Sequence, residues 1–311
     1  MVSRISRPDG RSAALVGRQG RQGRTHRRRE EALGGAGMTY QNLKLTYNGR
    51  TARVTLARGD KLNPLDWSTV KDLKAAVAEI EATPGIDFVL LTGEGRSFSA
   101  GGDLDGYIRL YREPTEFQAF LEDFFEMLTG IEKARAIWIA VVNGVCVAGG
   151  IELLLACDMA IAAESAKIGD GHLNFGQLPG AGGSQRLPRA IGLLRAKHLM
   201  LTGELLDART SERWGLVTRV VPDAELIAAA EAWIERMSSK SPVGLAGAKR
   251  LANLTLDTTY AEGLREEIAF VHRYATTEPD ATEGLVAFKE KRAPRFGKEN
   301  RAPRFGTRKE D

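Results

Sequence analysis

Apolar residues recur along this chain in patterns that predict short strands and amphipathic helices in alternation. Leu43 to Tyr47 and Ala52 to Ala57 are strand-like runs on either side of Asn48-Gly49, a dipeptide typical of a tight hairpin turn. Asp66 to Ala82 then places apolar residues at helical spacing. Strand, strand and helix signals recur in this order to about residue 220, which predicts an α/β core.

The pattern changes at Asp223, and from there to Glu290 apolar residues recur at helical spacing. The predicted helices are Glu225 to Ser238, Val243 to Leu254, Tyr260 to Tyr274 and Ala281 to Glu290. Such a block cannot bury all its apolar faces by itself. The sequence therefore predicts a core at 38–222 followed by a helical region at 223–291.

Charge is concentrated at the two ends of the chain. The net charge is +4, but residues 1–37 contain nine Arg against three acidic residues, so the remainder is slightly acidic. The Gly, Arg and Gln content of this tail predicts disorder. At the other end RAPRFG occurs at 292–297 and again at 301–306, which defines a duplicated basic tail at 292–311.

Composition limits the class of protein. With 311 residues, 43% apolar and 27% charged, the chain can bury a sizeable core. The longest run without a charge, Ala136 to Ile151, is interrupted by Asn and Gly and is too short for a membrane span. Cys146 and Cys157 lie in the apolar stretch and are interpreted as core residues of a reducing compartment. We expect a cytoplasmic protein without a metal site.

Glu152 is the strongest chemical signal because it lies within the most apolar stretch, Ile137 to Ala163. A carboxylate there loses hydration at a cost on the order of several kcal/mol unless partners compensate. A structural interpretation is a buried Glu held by an Arg or by backbone amides. However, Gly149-Gly150 follows a strand signal and precedes a helix start at Ile151, which predicts unpaired N–H groups that a ligand can approach closely.

A second glycine turn, Phe98 to Leu104, follows the predicted strand Asp87 to Thr92. Asp103 is placed to cap a helix that begins near Leu104. One such turn is common in α/β proteins. Two turns that each supply one N–H to a shared oxygen would form a site for developing negative charge.

Three segments resemble the crotonase superfamily, also called enoyl-CoA hydratase/isomerase. They are Phe98 to Leu104, Asn143 to Asp158 and Leu178 to Leu187, within a resemblance that runs from Tyr40 to Arg292. The resemblance implies an α/β fold, a crotonase-like spiral of ββα repeats with a C-terminal helical trimerisation region. It also implies an acyl-CoA thioester substrate, with coenzyme A carried as part of that substrate and no separate cofactor.

The resemblance assigns roles to individual residues. The backbone amides of Ala100 and Gly149 would hold the thioester oxygen, and Glu152 would handle water. The second glutamate of the family's hydratases falls at position 172, which is His172 here. Imidazole, with a pKa near about 6.5, can exchange a proton at neutral pH, whereas a structural His would bond a neighbouring carbonyl. Asp170 would orient the imidazole, act in its place, or be a solvated turn residue.

Further residues are implied as contacts of coenzyme A and of a neighbouring subunit. The predicted ligand contacts are Lys61, Leu62, Ala100, Gly101, Gly102, Asp103, Leu104, Phe288 and Lys289. The last two would act from a neighbouring subunit, because family members form trimers, often paired into hexamers. An exposed Lys that meets only water and a helix-end Phe that only packs are the structural alternatives.

The expected activity is addition or removal of water across the α,β double bond of an enoyl-CoA. Because His172 occupies the position of a glutamate, double-bond isomerisation and carbon–carbon cleavage stay open, since all three proceed through an enolate. An RNA-binding crotonase relative is the alternative outside enzymology. Nucleic acid is not the expected partner, because no aromatic stacking platform interleaves the arginines.

Overall fold

A six-stranded and a four-stranded β-sheet organise the chain in this computed structural model, which describes residues 39–297. In spatial order the larger sheet contains β1 (Leu43–Asn48), β2 (Thr51–Leu56), β3 (Phe88–Gly93), β5 (Ile137–Val142), β7 (Met159–Ala163) and β10 (Arg219–Val221). The smaller sheet contains β4 (Ser97–Ser99), β6 (Val145–Val147), β8 (Lys167–Gly169) and β9 (Leu206–Asp207).

Eleven α-helices surround these sheets within residues 39–297. They are α1 (Trp67–Ala82), α2 (Leu104–Leu110), α3 (Pro114–Lys133), α4 (Gly149–Ala156), α5 (Gly183–Ile191), α6 (Leu193–Thr202), α7 (Ala208–Trp214), α8 (Leu226–Ser238), α9 (Pro242–Asp257), α10 (Tyr260–Thr277) and α11 (Pro279–Lys289). A 3₁₀ helix at His172–Phe175 lies between β8 and α5.

The predicted hairpin, the helix that begins near Asp66 and the Asp103 cap are confirmed. β1 and β2 pair antiparallel, with Asn48 opposite Thr51 across the predicted turn. Asp66 caps α1 by accepting a hydrogen bond from the Thr69 N–H at 2.8 Å. Asp103 caps α2 in the same way, with Gly106 N–H as the donor at 3.1 Å. In each cap a short acidic side chain satisfies an N–H that has no partner within the helix.

Alternation between the two sheets brings the chain's turns together. β3, β5 and β7 belong to the larger sheet, and each is followed by a short strand of the smaller sheet. Those short strands, β4, β6 and β8, are parallel neighbours. Because parallel strands end at the same edge, the segments that follow them, 100–102, 148–150 and 170–172, converge there.

The core lies on both faces of the larger sheet. All six residues of β5 are buried, including Trp138, and one face packs against α1 and α3. The opposite face packs against α8 through Ala230 and Ile234. Cys146 is buried and neither cysteine is in a disulfide. The continuous apolar run that the sequence displays is thus typical of a strand buried on both sides.

The four C-terminal helices are at the predicted positions. α8 buries Leu226, Ala230 and Ile234, whereas α10 has no buried residue. The first copy of the repeat follows α11, where Arg292 makes two contacts with Glu283, at 2.7 and 3.1 Å. The predicted tail at 1–37 and the second copy at 301–306 lie outside the described residues. Among residues 39–297 no helix is both long and apolar enough to cross a membrane.

Candidate active site

The two predicted glycine turns are in direct contact. A Cβ placed on Gly101, which has φ +88°, would lie 2.7 Å from the Ala148 Cβ and 3.1 Å from the Gly149 nitrogen. A Cβ on Gly150 would lie 2.5 Å from the Ser99 carbonyl oxygen. Contacts this close exclude any side chain at these positions. The small residues are therefore required for the approach of two backbones, as well as for access by a ligand.

Ala148 holds the second turn in a strained conformation. Its φ of 53° and ψ of −120° are unusual for a residue with a Cβ. Its N–H donates to the Asp170 carbonyl at 2.8 Å, which ties the turn to the segment after β8. Gly149 follows as the first residue of α4, and its N–H has no acceptor among residues 39–297. One open backbone donor is thus present at the predicted place.

The other predicted donor is not open. The Ala100 N–H donates to the Leu62 carbonyl oxygen at 2.9 Å, which corrects the expectation of two free amides. Leu62 has φ 63°, which is the left-handed region. The loop that contains Leu62 is hydrogen-bonded to the first turn at two further places. Leu65 N–H donates to Gly101 O at 2.8 Å, and Ser99 Oγ donates to Asn63 O at 2.8 Å. A ligand oxygen would have to share the Ala100 N–H or displace Leu62.

Glu152 is buried, with 2% of its surface exposed. Its Oε1 accepts hydrogen bonds from the N–H groups of Ala181 at 2.9 Å and Gly183 at 2.7 Å. Burial raises the pKa of Glu152 above its ordinary value, although these two amides and the nearby His172 oppose the shift. The interpretation that backbone amides hold a buried Glu is confirmed, and it leaves Oε2 available for chemistry.

His172 faces Glu152 across a short gap. Its Nε2 lies 3.9 Å from Glu152 Oε2, and the side chain is 9% exposed. Its Nδ1 lies 3.1 Å from Asp170 Oδ1 but is not aligned for a hydrogen bond. Within residues 39–297 both His172 Nδ1 and Asp170 Oδ2 are buried without a hydrogen-bond partner. The interpretation of His172 as a loop residue bonded to a carbonyl is therefore wrong for the ring.

Asp170 is buried at 1% exposure, so the interpretation as a solvated turn residue is wrong. It lies at the end of β8, and its Oδ1 accepts from the His172 N–H at 3.3 Å. The parallel pairing of β6 with β8 places this position beside the Ala148 turn. Asp170 is thus part of the buried charge cluster with Glu152 and His172.

Sequence reasoning missed the support behind Glu152. Arg186 donates to both carboxylate oxygens of Glu132, at 2.6 and 3.0 Å, and to the Ala181 carbonyl at 2.7 Å. It therefore fixes the loop whose amides hold Glu152. Arg186 belongs to one of the recognised segments, but its partner lies 54 residues away at the end of α3, and nothing local indicates that pairing.

The remaining residues predicted to contact coenzyme A differ in exposure and in whether their side chains already have a partner. Lys61 is exposed, and Leu104 is 46% exposed near the first turn. Asp103 is occupied as the cap of α2. Phe288, 85% exposed, and Lys289 end α11, and their side chains make no hydrogen bond or ion pair within residues 39–297. Their expected contact with a neighbouring subunit stays a prediction.

Metal binding has no evident place in the part of the chain that is described. Among residues 39–297 no group of three or more His, Cys, Asp or Glu side chains could hold a metal ion. The expectation that the enzyme needs no separate cofactor stays a prediction.

Comparisons with known proteins identify the family of this chain. Residues 46–299 match the family described as enoyl-CoA hydratase/isomerase. The probable enoyl-CoA hydratase echA8 of Mycobacterium bovis is 39% identical over 259 residues, which cover 83% of this chain and 99% of that protein. The (E)-benzylidenesuccinyl-CoA hydratase of Thauera aromatica is 35% identical over 255 residues, covering 81% and 97%.

A solved structure gives the same result for the fold. The enoyl-CoA hydratase from Bacillus anthracis aligns with a TM-score of 0.77 and 33% identity over 82% of this chain and 99% of that chain. Two touching glycine turns beside a buried carboxylate, on this α/β fold, define an enzyme of the crotonase superfamily. Within that class, the chain belongs to the enoyl-CoA hydratase/isomerase family.

Proposed function

We propose that this enzyme adds water to the α,β double bond of an enoyl-CoA thioester, and removes it in reverse. The observation that supports this best is the gap of 3.9 Å between Glu152 Oε2 and His172 Nε2. A base and an acid on either side of one small space can act on a water molecule and on the adjacent substrate carbon. The names of the relatives, enoyl-CoA hydratases among them, point to the same reaction.

The proton movements balance with these two groups. Glu152 takes a proton from water as the oxygen attacks the β-carbon, and the electrons of the double bond move toward the thioester oxygen. Protonated His172 then gives its proton to the α-carbon, which completes the net addition of water. Transfer of the proton from Glu152 to His172 restores both groups for the next cycle. Asp170 supports the protonated imidazole from the other side, since Nδ1 lies 3.1 Å from its Oδ1.

The thioester oxygen would bind at the glycine turns. Gly149 N–H is open at the start of α4, where the helix dipole favours a negative charge. Ala100 N–H would join when the oxygen shares it with, or takes it from, the Leu62 carbonyl. Backbone donors aimed at developing charge are worth about 3–4 kcal/mol each in comparable sites.

We extend the proposal to coenzyme A binding and assembly. Lys61 is exposed beside the first turn and could meet a phosphate of coenzyme A. α10 exposes an apolar stripe at helical spacing, formed by Tyr260, Leu264, Ile268 and Val271. Such a stripe fits contact with further copies of the chain in a trimer or a dimer of trimers. A cytoplasmic location agrees with the two unpaired cysteines.

The test is a panel of acyl-CoA thioesters with product masses recorded. Crotonyl-CoA, cinnamoyl-CoA, a 3-enoyl-CoA and a cyclic β-keto acyl-CoA cover the reactions that share an enolate. We expect a gain of one water for at least one 2-enoyl thioester. A product of unchanged mass would indicate isomerisation, and fragments would indicate carbon–carbon cleavage, and either result without any hydration would overturn the proposal.

A further inference from the structure

Tyr107 lies against the first glycine turn. It belongs to α2, five residues after Gly102, and a Cβ placed on Gly102 would overlap the Tyr107 Cζ and Oη atoms. The phenol therefore rests on the backbone that leads from the Ala100 amide into α2. No side chain other than glycine's hydrogen fits between this turn and the hydroxyl.

The ring of Tyr107 is held in place by other aromatic side chains. Its centroid lies 5.7 Å from that of Phe120 in an edge-to-face contact, and 6.0 Å from that of Tyr111 in a stacked one. Phe117 contacts both Tyr111 and Phe120 at 4.8 and 6.4 Å. A ring held by two neighbours, which Phe117 supports in turn, keeps its hydroxyl at a defined position.

Burial and neighbouring negative charges both act on the Tyr107 hydroxyl. Burial is the main cause that raises the pKa of Tyr107, and the negative charge of Glu152 is the second. The phenol therefore keeps its proton across the neutral range and is available as a hydrogen-bond donor.

No acceptor within residues 39–297 takes this hydrogen. The contrast with the other clustered tyrosine is direct, because Tyr111 Oη donates to Gln177 Oε1. Tyr40 and Tyr47 likewise donate to Glu79, at 2.7 and 2.8 Å. Tyr107 combines a ring held by its neighbours with a hydroxyl that lies against the first glycine turn and that donates to no residue in this range.

We propose that the Tyr107 hydroxyl donates a hydrogen bond to the oxygen atom at the substrate's β-carbon. That oxygen is the attacking water during hydration and the hydroxyl group of the 3-hydroxyacyl thioester during dehydration. Tyr107 is then a further catalytic residue, which orients the water whose proton Glu152 removes. This inference rests on the proposed function, because it assumes a thioester oxygen at the glycine turns.

The first experiment measures binding without turnover. In a Glu152→Gln background, 3-hydroxybutyryl-CoA and butyryl-CoA differ only by the β-oxygen. We expect tighter binding of the hydroxy ligand, and we expect the added Tyr107→Phe change to reduce that preference by about tenfold. Tyr111→Phe, which removes a hydroxyl from the same aromatic cluster, should leave the preference unchanged.

The second experiment measures catalysis in the parent background. Tyr107→Phe should lower kcat for crotonyl-CoA hydration by about 10- to 100-fold with KM changed less than about threefold. A purely packing role would weaken both ligands equally or change nothing, and either outcome would overturn the inference. A parent enzyme that hydrates no thioester would contradict the proposed function, whereas the binding preference would still decide the position of the hydroxyl.

Discussion

Two groups of buried charges in this molecule differ in how fully their hydrogen bonds are satisfied. Lys249 and Asp158 form one group, and Glu152, His172 and Asp170 form the other. Both groups lie on strand ends or helices packed against the core. The first has every charge matched by protein atoms, whereas the second leaves buried polar atoms unmatched.

The matched pair joins a C-terminal helix to the core. Lys249 Nζ of α9 contacts Asp158 Oδ2 at 2.9 Å and donates to the carbonyls of Ile131 and Ala136 at 2.9 and 3.0 Å. Asp158 Oδ2 also accepts from the Trp138 N–H at 2.8 Å. The three N–H donors of the ammonium group thus each have an acceptor, so none is available for a ligand.

The unmatched cluster keeps its capacity for a reaction. Glu152 uses one oxygen on two amides, while its other oxygen faces His172 across 3.9 Å. His172 Nδ1 and Asp170 Oδ2 have no partner among residues 39–297. Buried groups without partners destabilise a fold, so their presence together at the glycine turns indicates use in chemistry. The comparison teaches that the number of hydrogen-bond partners, rather than burial, separates a structural charge from a catalytic one.

The largest expected effect comes from Glu152→Gln. It should lower kcat for enoyl-CoA hydration by about 10²–10⁴-fold, because the amide cannot accept the proton of water. Binding of a saturated acyl-CoA should persist, since Gln can still accept from the Ala181 and Gly183 amides through Oε1. Steady-state rates and equilibrium binding check both. Glu235→Gln, at an exposed position, is the control, and near-parental hydration by Glu152→Gln would refute its role.

Lys249→Met should have the largest effect on stability. It leaves the Asp158 charge buried with only the Trp138 amide, and breaking a buried pair this way costs about 3–5 kcal/mol of unfolding free energy. Chemical denaturation measures the loss, and Lys197→Met on the exposed face of α6 should change little. Adding Asp158→Asn should recover part of the loss. An unchanged unfolding free energy would remove the distinction between the two groups.

Asp170→Asn should act in the opposite sense from Lys249→Met. We expect kcat for hydration to fall about 10- to 100-fold, because the protonated form of His172 loses a negative neighbour 3.1 Å from Nδ1. KM should change little, and unfolding free energy should stay equal or rise, since a buried carboxylate is removed. Asp257→Asn is the exposed control. A loss of stability without a kcat effect would place Asp170 in the structural class.

Features set by neighbouring residues could be predicted from the sequence. The hairpin at 48–51, the cap Asp103 and the glycine turns all follow from short-range steric and hydrogen-bonding preferences. The family resemblance added Glu152 and the position of His172. The two turns touch because β4 and β6 are parallel neighbours. This pairing could be predicted only from the fold that the family resemblance implies, and not from the local sequence.

Features that depend on distant segments were not predictable in this way. The Leu62 carbonyl takes the Ala100 N–H across 38 residues, and Glu132 meets Arg186 across 54. The burial of Asp170 and the position of Tyr107 also depend on which helices cover the turns. Periodicity reports which face of an element is buried, and it carries no information about the partner on the other side.

The smallest expected effect concerns the pH dependence that the ionisation of Glu152 adds to stability. Burial raises the folded-state pKa of Glu152 above the 4.5 of an ordinary glutamate, so the folded protein binds its proton more tightly than the unfolded chain does. The contribution of Glu152 to the stability of the parent should therefore fall as pH rises from about 4.5 through the folded-state pKa, and then level off. Glu152→Gln lacks this ionisation. The difference in unfolding free energy between variant and parent should grow over that interval in favour of the variant, as measured by denaturation at a series of pH values.

The parent's kcat/KM should decline with falling pH over the same interval as the base is protonated. A stability difference that is constant with pH would show that the folded protein holds the Glu152 proton no more tightly than the unfolded chain does, and burial would then carry no cost for this carboxylate.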